Sequence, residues 1–133
     1  MTGRIWMKTK SKVALSALTG VALGVASTEL VPAETKPVAY VIAGNLVNNE
    51  SGYANEFAPA IAKSIWAAGG KLLVIGGKTI PIHGKAIPRI VVSQFESLEK
   101  AEAWANASGT KAAFALGEKY AILNDFIVEG AAE

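Results

Sequence analysis

His83 is the only histidine and Asp125 the only aspartate in this chain of 133 residues, and there is no cysteine. These counts narrow the chemistry before any fold is considered. Without cysteine there is no disulfide, no thiolate nucleophile and no zinc–thiolate site. A lone histidine cannot build a multi-histidine metal centre. A Ser-His-Asp triad is formally available from His83 and Asp125, but no G-x-S-x-G elbow accompanies it. His83 reads either as a loop or edge-strand residue or as an acid–base group that titrates near neutral pH. Nothing in the chain calls for a cofactor.

Arg89 begins a strand beside Pro88. It could pair with Glu96 or a helix carboxylate, or its planar fork could clamp a ligand carboxylate or phosphate. Tyr40, Asn106 and Tyr120 are the further candidates for polar contact with a ligand, since a buried phenol needs a hydrogen-bonding partner. Trp66 and Trp104 fall on apolar helix faces and read as core. Gly77-Lys78-Thr79 follows a strand as a phosphate-binding loop would. That motif needs a further glycine where this chain has Leu72, and a helix where it has Ile80-Pro81-Ile82. Gly76-Gly77 is a hairpin turn.

The elements that must position these groups follow from periodicity and punctuation. Val38 to Val47 alternates as a strand, with Tyr40, Ile42 and Gly44 on one face and Ala39, Val41, Ala43 and Asn45 on the other. Both faces are largely apolar, so both need cover. Asn49 caps a helix to about Ala68, whose core stripe is Tyr53, Phe57, Ile61 and Ile65. Pro59 should kink or restart that helix. Gly69-Gly70 stops it, and Lys71 to Ile75 is the second strand. Thr79 to His83 could add a short edge strand, limited by Pro81. Arg89 to Phe95 is the third main strand and Ser97 caps a second helix through about Ala107. Ser108-Gly109 interrupts it, a helical pattern resumes over Lys111 to Tyr120, and Ala121 to Val128 closes as the fourth strand. The order is β-α-β-β-α-β, an α+β ferredoxin-like sandwich.

Residues 1–33 read as a cleaved signal peptide and 34–133 as the folded domain. Arg4, Lys8, Lys10 and Lys12 precede an apolar, small-residue run from Val13 to Ala26. That run is shorter than the roughly 20 residues of a spanning helix, and Val31-Pro32-Ala33 supplies a small-x-small cleavage pattern. The leader holds four of the 13 Lys and Arg and one of the 11 acids, which leaves nine basic and ten acidic residues, a net of −1. The basic balance belongs to the leader, so nucleic acid is not an expected partner. An RNA-recognition reading of the same element order also fails, because Ile90-Val91-Val92-Ser93-Gln94 offers neither exposed aromatics nor a basic face. The expected location is the bacterial periplasm or the exterior, with no membrane attachment once the leader is removed.

Tyr40-Val41-Ile42-Ala43, Gly52-Tyr53, Gly69-Gly70-Lys71, His83-Gly84, Arg89-Ile90-Val91-Val92, Phe95-Glu96-Ser97, Ala103-Trp104, Gly117-Glu118-Lys119-Tyr120-Ala121 and Val128-Glu129-Gly130 occur here in order. As a set they resemble the bacterial family of domains of unknown function numbered 1330, over about residues 38 to 130. The chain departs from the usual pattern of that family at several places. His83 stands for a glutamate, Gly44 for an acid, Ala105, Ala107 and Ser108 for tyrosine, serine and proline, and Asn124 for a basic residue. The resemblance implies a dimeric α/β barrel in which two sheets pack face to face, and carries no agreed activity. The expected function is a homodimeric module that binds a small organic ligand or plays a structural part. The alternative, by fold analogy, is a cofactor-independent enzyme of isomerase, monooxygenase or degradative type, with His83 as acid–base, Arg89 as clamp, and Tyr40, Asn106 and Tyr120 as contacts.

Overall fold

Alternation in the first strand becomes a sheet with two unlike faces. The computed structural model describes residues 35–132, so the leader expected over residues 1–33 lies outside the described residues. Strand β1 (Ala39–Gly44) turns Ala39, Val41 and Ala43 into the core. A short β2 (Leu46–Val47) follows, then α1 (Glu50–Gly52), a π-helical turn (Tyr53–Phe57) and α2 (Ala58–Ala67). Next come β3 (Lys71–Ile75), β4 (Ile90–Phe95), α3 (Leu98–Asn106), α4 (Ser108–Gly117), β5 (Ala121–Ile122) and β6 (Asp125–Glu129). The main sheet is antiparallel in the order β3-β4-β1-β6, and β2 pairs with β5 in a small second sheet. This is the ferredoxin-like α+β sandwich that the element order implies. No helix among the described residues is long and apolar enough to cross a membrane.

Caps and breaks follow local chemistry. Asn49 Oδ1 accepts the Gly52 amide at 2.9 Å, and Ser97 Oγ accepts the Lys100 amide at 3.2 Å. Pro59 sits in the first turn of α2, directly after the π-helical turn. A proline there cannot donate and crowds the carbonyl four residues back, and the wider turn relieves both problems. Gly69 takes φ +82° and ends α2, with the Gly70 amide reaching back to the Ile65 carbonyl at 2.8 Å. The long strand expected from Val38 divides at Asn45: its amide still bonds to the Arg89 carbonyl in register with β4, and the chain beyond it, Leu46–Val47, pairs with β5 instead. Ile122 and Asp125 likewise fall in separate strands. Thr79 to His83 forms no strand, since Pro81 removes a donor and the segment finds no ladder partner.

Among the described residues, helices cover one side of the sheet. Between them runs a train of aromatic rings: Phe95 to Trp104 at 5.2 Å, Trp104 to Phe114 at 5.8 Å, Phe114 to Phe57 at 6.4 Å and Phe57 to Tyr53 at 5.2 Å. Trp104 is buried as expected, whereas Trp66 on α2 is 62% exposed because it points away from the Tyr53–Ile65 stripe. The Trp104 indole N–H donates to Ser64 Oγ at 2.9 Å, and Ser64 in turn donates to the Ile61 carbonyl at 2.7 Å. Ser64→Ala leaves that indole donor without its partner. The expected cost is about 1–2 kcal/mol in urea unfolding, and an unchanged midpoint would show that the hydroxyl is dispensable.

Among the described residues no helix covers the other side of the sheet. Tyr40, Ile42, Ile90, Val92, Phe126 and Val128 share it by register, and Phe126 is 54% exposed. At one end Ile87 folds down from the β3–β4 connection onto Gly44, where any Cβ would collide with its side chain. That contact gives a physical reason for glycine at a position where the resembling family commonly has an acid.

Candidate functional site

The five residues singled out from the sequence do not share one site within the subunit. His83 is exposed in the connection between β3 and β4. Tyr40 lies on the helix-free sheet face, and Asn106 is exposed at the end of α3, donating to the Glu102 carbonyl at 3.0 Å. Arg89 is held by the Glu50 carboxylate, at 3.0 and 2.8 Å from its two oxygens, and its guanidinium lies 5.0 Å from the centre of the Tyr53 ring. Tyr120 packs its ring on Gly52, and the Glu56 carboxylate beside it, aided by burial, raises its phenol above the usual value. Arg89 and Tyr120 therefore meet the same stretch, Glu50 to Glu56. His83, Tyr40 and Asn106 lie elsewhere.

A different set of polar groups converges. Between the sheet and the helices lies a cavity of ≈ 40 Å³, walled mainly by Val41, Ala43, Phe57, Trp104 and Phe114. Four polar side chains open into it: Asn45, Tyr53, Ser93 and Asp125. Strand alternation accounts for three of them, because Asn45 continues the inward parity of Val41 and Ala43, Ser93 lies between Val91 and Phe95, and Asp125 precedes Ile127. Tyr53 arrives from the π-helical turn. A larger and shallower groove of ≈ 440 Å³ lies between α2 and the α3–α4 corner, but it is lined mostly by alanines with Lys100 as its charged group.

Hydrogen bonds lock one end of the cavity. Asn45, 3% exposed, donates from Nδ2 to the Tyr53 phenol oxygen at 2.9 Å and accepts the Asn124 amide on Oδ1 at 3.3 Å. The Tyr53 oxygen is thus used as an acceptor, and its O–H remains available to donate. Ser93 is 2% exposed, and its hydroxyl has no partner among the described residues. Asp125 is half-buried, and burial alone pushes its carboxyl from 3.8 up to about 6. An uncompensated carboxyl in an apolar cavity weakens the fold at neutral pH, and such groups concentrate at functional sites. Among the described residues no group of three or more His, Asp or Glu side chains is placed to hold a metal ion.

Asp125 entered the sequence reading only as a formal triad member, and Asn45, Tyr53 and Ser93 not as site residues. The signal was present as parity. In the fourth strand Asp125 stands in phase with Leu123 and Ile127, a carboxyl among apolar inward positions, whereas Glu129, of the same parity, is exposed at the strand end.

A one-sided antiparallel sheet and a β-α-β-β-α-β order define a ferredoxin-like domain, with a small, partly open cavity under the helices. The chain belongs to the family described as domain of unknown function DUF1330, whose profile matches residues 38–131. Among solved structures it is similar to a protein of unknown function from Rhodopseudomonas palustris, at 8% identity and a TM-score of 0.59, covering 76% of this chain and 88% of that one. It is also similar to a conserved protein of unknown function from Bacteroides thetaiotaomicron, described as a "possible oxidoreductase", at 9% identity and a TM-score of 0.51, covering 71% and 99%. At these identities the likeness speaks for the fold alone. Among curated proteins nothing matches this sequence.

Proposed function

We propose that this protein is an exported homodimer in which each subunit binds a small organic molecule in the Asp125 cavity. The observation that carries the binding reading is the Asp125 carboxyl, kept at a cost to stability in a cavity otherwise walled by apolar and aromatic groups. Dimerisation is supported by the sheet face opposite the helices, where six apolar or aromatic side chains stand together with no helix over them among the described residues. Export is supported by the basic residues and short apolar run of the leader. None of the residues lining the cavity is a cation, which disfavours phosphates and carboxylates and points to uncharged ligands.

Native mass spectrometry of protein gently purified from the periplasm tests all three parts. A dimer of leaderless chains carrying a defined extra mass is the expected result. A chain that keeps its leader removes the export reading, and a monomer at micromolar concentration removes the dimer. A dimer that arrives empty, and stays empty when exposed to periplasmic extract, removes the ligand-binding reading.

A further inference from the structure

We infer that the Asp125 cavity is a proton-transfer site for a small uncharged carbonyl compound, with Asp125 as the acid–base group and the Tyr53 O–H as the donor to the carbonyl oxygen. This assignment rests on the ligand-binding reading above and goes beyond it by naming a reaction.

The size of the cavity limits the ligand. Its ≈ 40 Å³ gives room for about three water molecules, or a compound of about four non-hydrogen atoms. Its chemistry limits the ligand further. The lining contains a free phenol donor, an unpartnered buried hydroxyl and one carboxyl, with Tyr53 and Asp125 the titratable groups. A carbonyl oxygen can accept from the phenol, while a carbon acid next to it faces the carboxyl.

The two partners are held by one network. Asn45 grips the Tyr53 oxygen through Nδ2 and the backbone of Asn124 through Oδ1, and Asn124 immediately precedes Asp125. The donor and the base are therefore tied to the same amide side chain. Such prior positioning is what lets a donor stabilise charge as it develops. Ser93 lies diagonally across from Asp125, two strands away and one inward position along, a backbone separation of about 12 Å by strand spacing. Its side chain also lines the cavity.

The step balances without a co-reactant. The Asp125 carboxylate takes a proton from the carbon beside the carbonyl; that C–H bond breaks and an O–H bond forms on Asp125. The C–H electron pair becomes the enolate π bond, and the carbonyl oxygen takes the negative charge under the Tyr53 O–H. Return of a proton to carbon restores the carbonyl, and exchange on the half-buried carboxyl replaces that proton with one from solvent. A carboxyl that titrates at about 6 has its base form available at neutral pH and still returns the proton readily.

Acetone is the probe: proton NMR in deuterium oxide follows loss of its methyl protons, and in ordinary water the amide shifts of Asn45, Tyr53, Ser93 and Asp125 report binding. The leaderless protein is expected to show saturable shifts at these amides and deuterium exchange that increases as pH rises through about 6. Asp125→Asn should slow exchange by at least about a hundredfold, the low end for a positioned acid–base group. Tyr53→Phe, which keeps the ring, should lose exchange and weaken the shifts. Saturable shifts with equal exchange in the parent and Asp125→Asn would overturn the proton-transfer assignment and leave the binding reading intact. Absence of shifts in the parent would overturn the carbonyl ligand class, while the broader binding reading stands or falls on the retained mass.

Discussion

Asp125→Asn unfolds at a higher urea concentration than the parent protein at about pH 7.5, and the gap closes as the pH falls toward about 4. The sign follows from the direction of the shift. Burial raises the Asp125 carboxyl from 3.8 to about 6, so between those values the folded chain holds a proton that the unfolded chain has released. Stability therefore falls as pH rises through that window and levels off above it. An undiscounted shift of that size corresponds to about 3 kcal/mol, but the carboxyl is only half-buried and water screens part of its charge. The expected gain for asparagine is about 1–2 kcal/mol at neutral pH, large for one conservative substitution. Urea unfolding of both proteins from about pH 4 to 8 is the measurement. Parallel stability curves would mean that Asp125 is solvated like a surface carboxylate, and its cost to the fold would no longer mark it.

Ile42→Lys is expected to convert the proposed homodimer to a folded monomer. Ile42 lies at the centre of the helix-free face, directly opposite Val92 on β4 and Phe126 on β6. In a single subunit a lysine there reaches water along its own stem, so the helix-side core of Phe95, Trp104 and Ile65 is undisturbed. In a face-to-face pair the same ammonium is buried against apolar side chains and meets its symmetry mate. Desolvation of an unpaired charge costs several kcal/mol, so dissociation should strengthen by about a thousandfold or more. Sedimentation read beside far-UV circular dichroism separates loss of assembly from loss of fold. A parent protein that sediments as a monomer, or a variant that remains dimeric at the same concentrations, would leave the apolar face without the partner assigned to it.

Part of the candidate site was legible before folding and part was not. The inward parity of Asn45 with Val41 and Ala43 is visible in the chain, as is that of Asp125 with Ile127. What parity does not supply is which inward polar groups meet. Asn45 and Tyr53 are eight residues apart, one at the break between two strands and the other in a π-helical turn, and only the packing of that turn on the sheet brings them into hydrogen-bond contact. Arg89 shows the same limit. Its pairing lay between Glu96 and a helix carboxylate; the structure supplies the helix carboxylate, and which one it is, Glu50, 39 residues away, depends on chain geometry.

Local patterns by themselves determined the element order, the caps at Asn49 and Ser97, the stop at Gly69 and the core stripe from Tyr53 to Ile65. These follow from backbone sterics and side-chain period, and both act over a few residues. Tertiary structure alone decided that the sheet has one bare face, that Trp66 stays outside, and that four scattered polar residues share a cavity with no cation in its lining. Those outcomes depend on strand register and helix placement, which bring together groups far apart in the chain and set the burial that moves the Asp125 carboxyl to about 6.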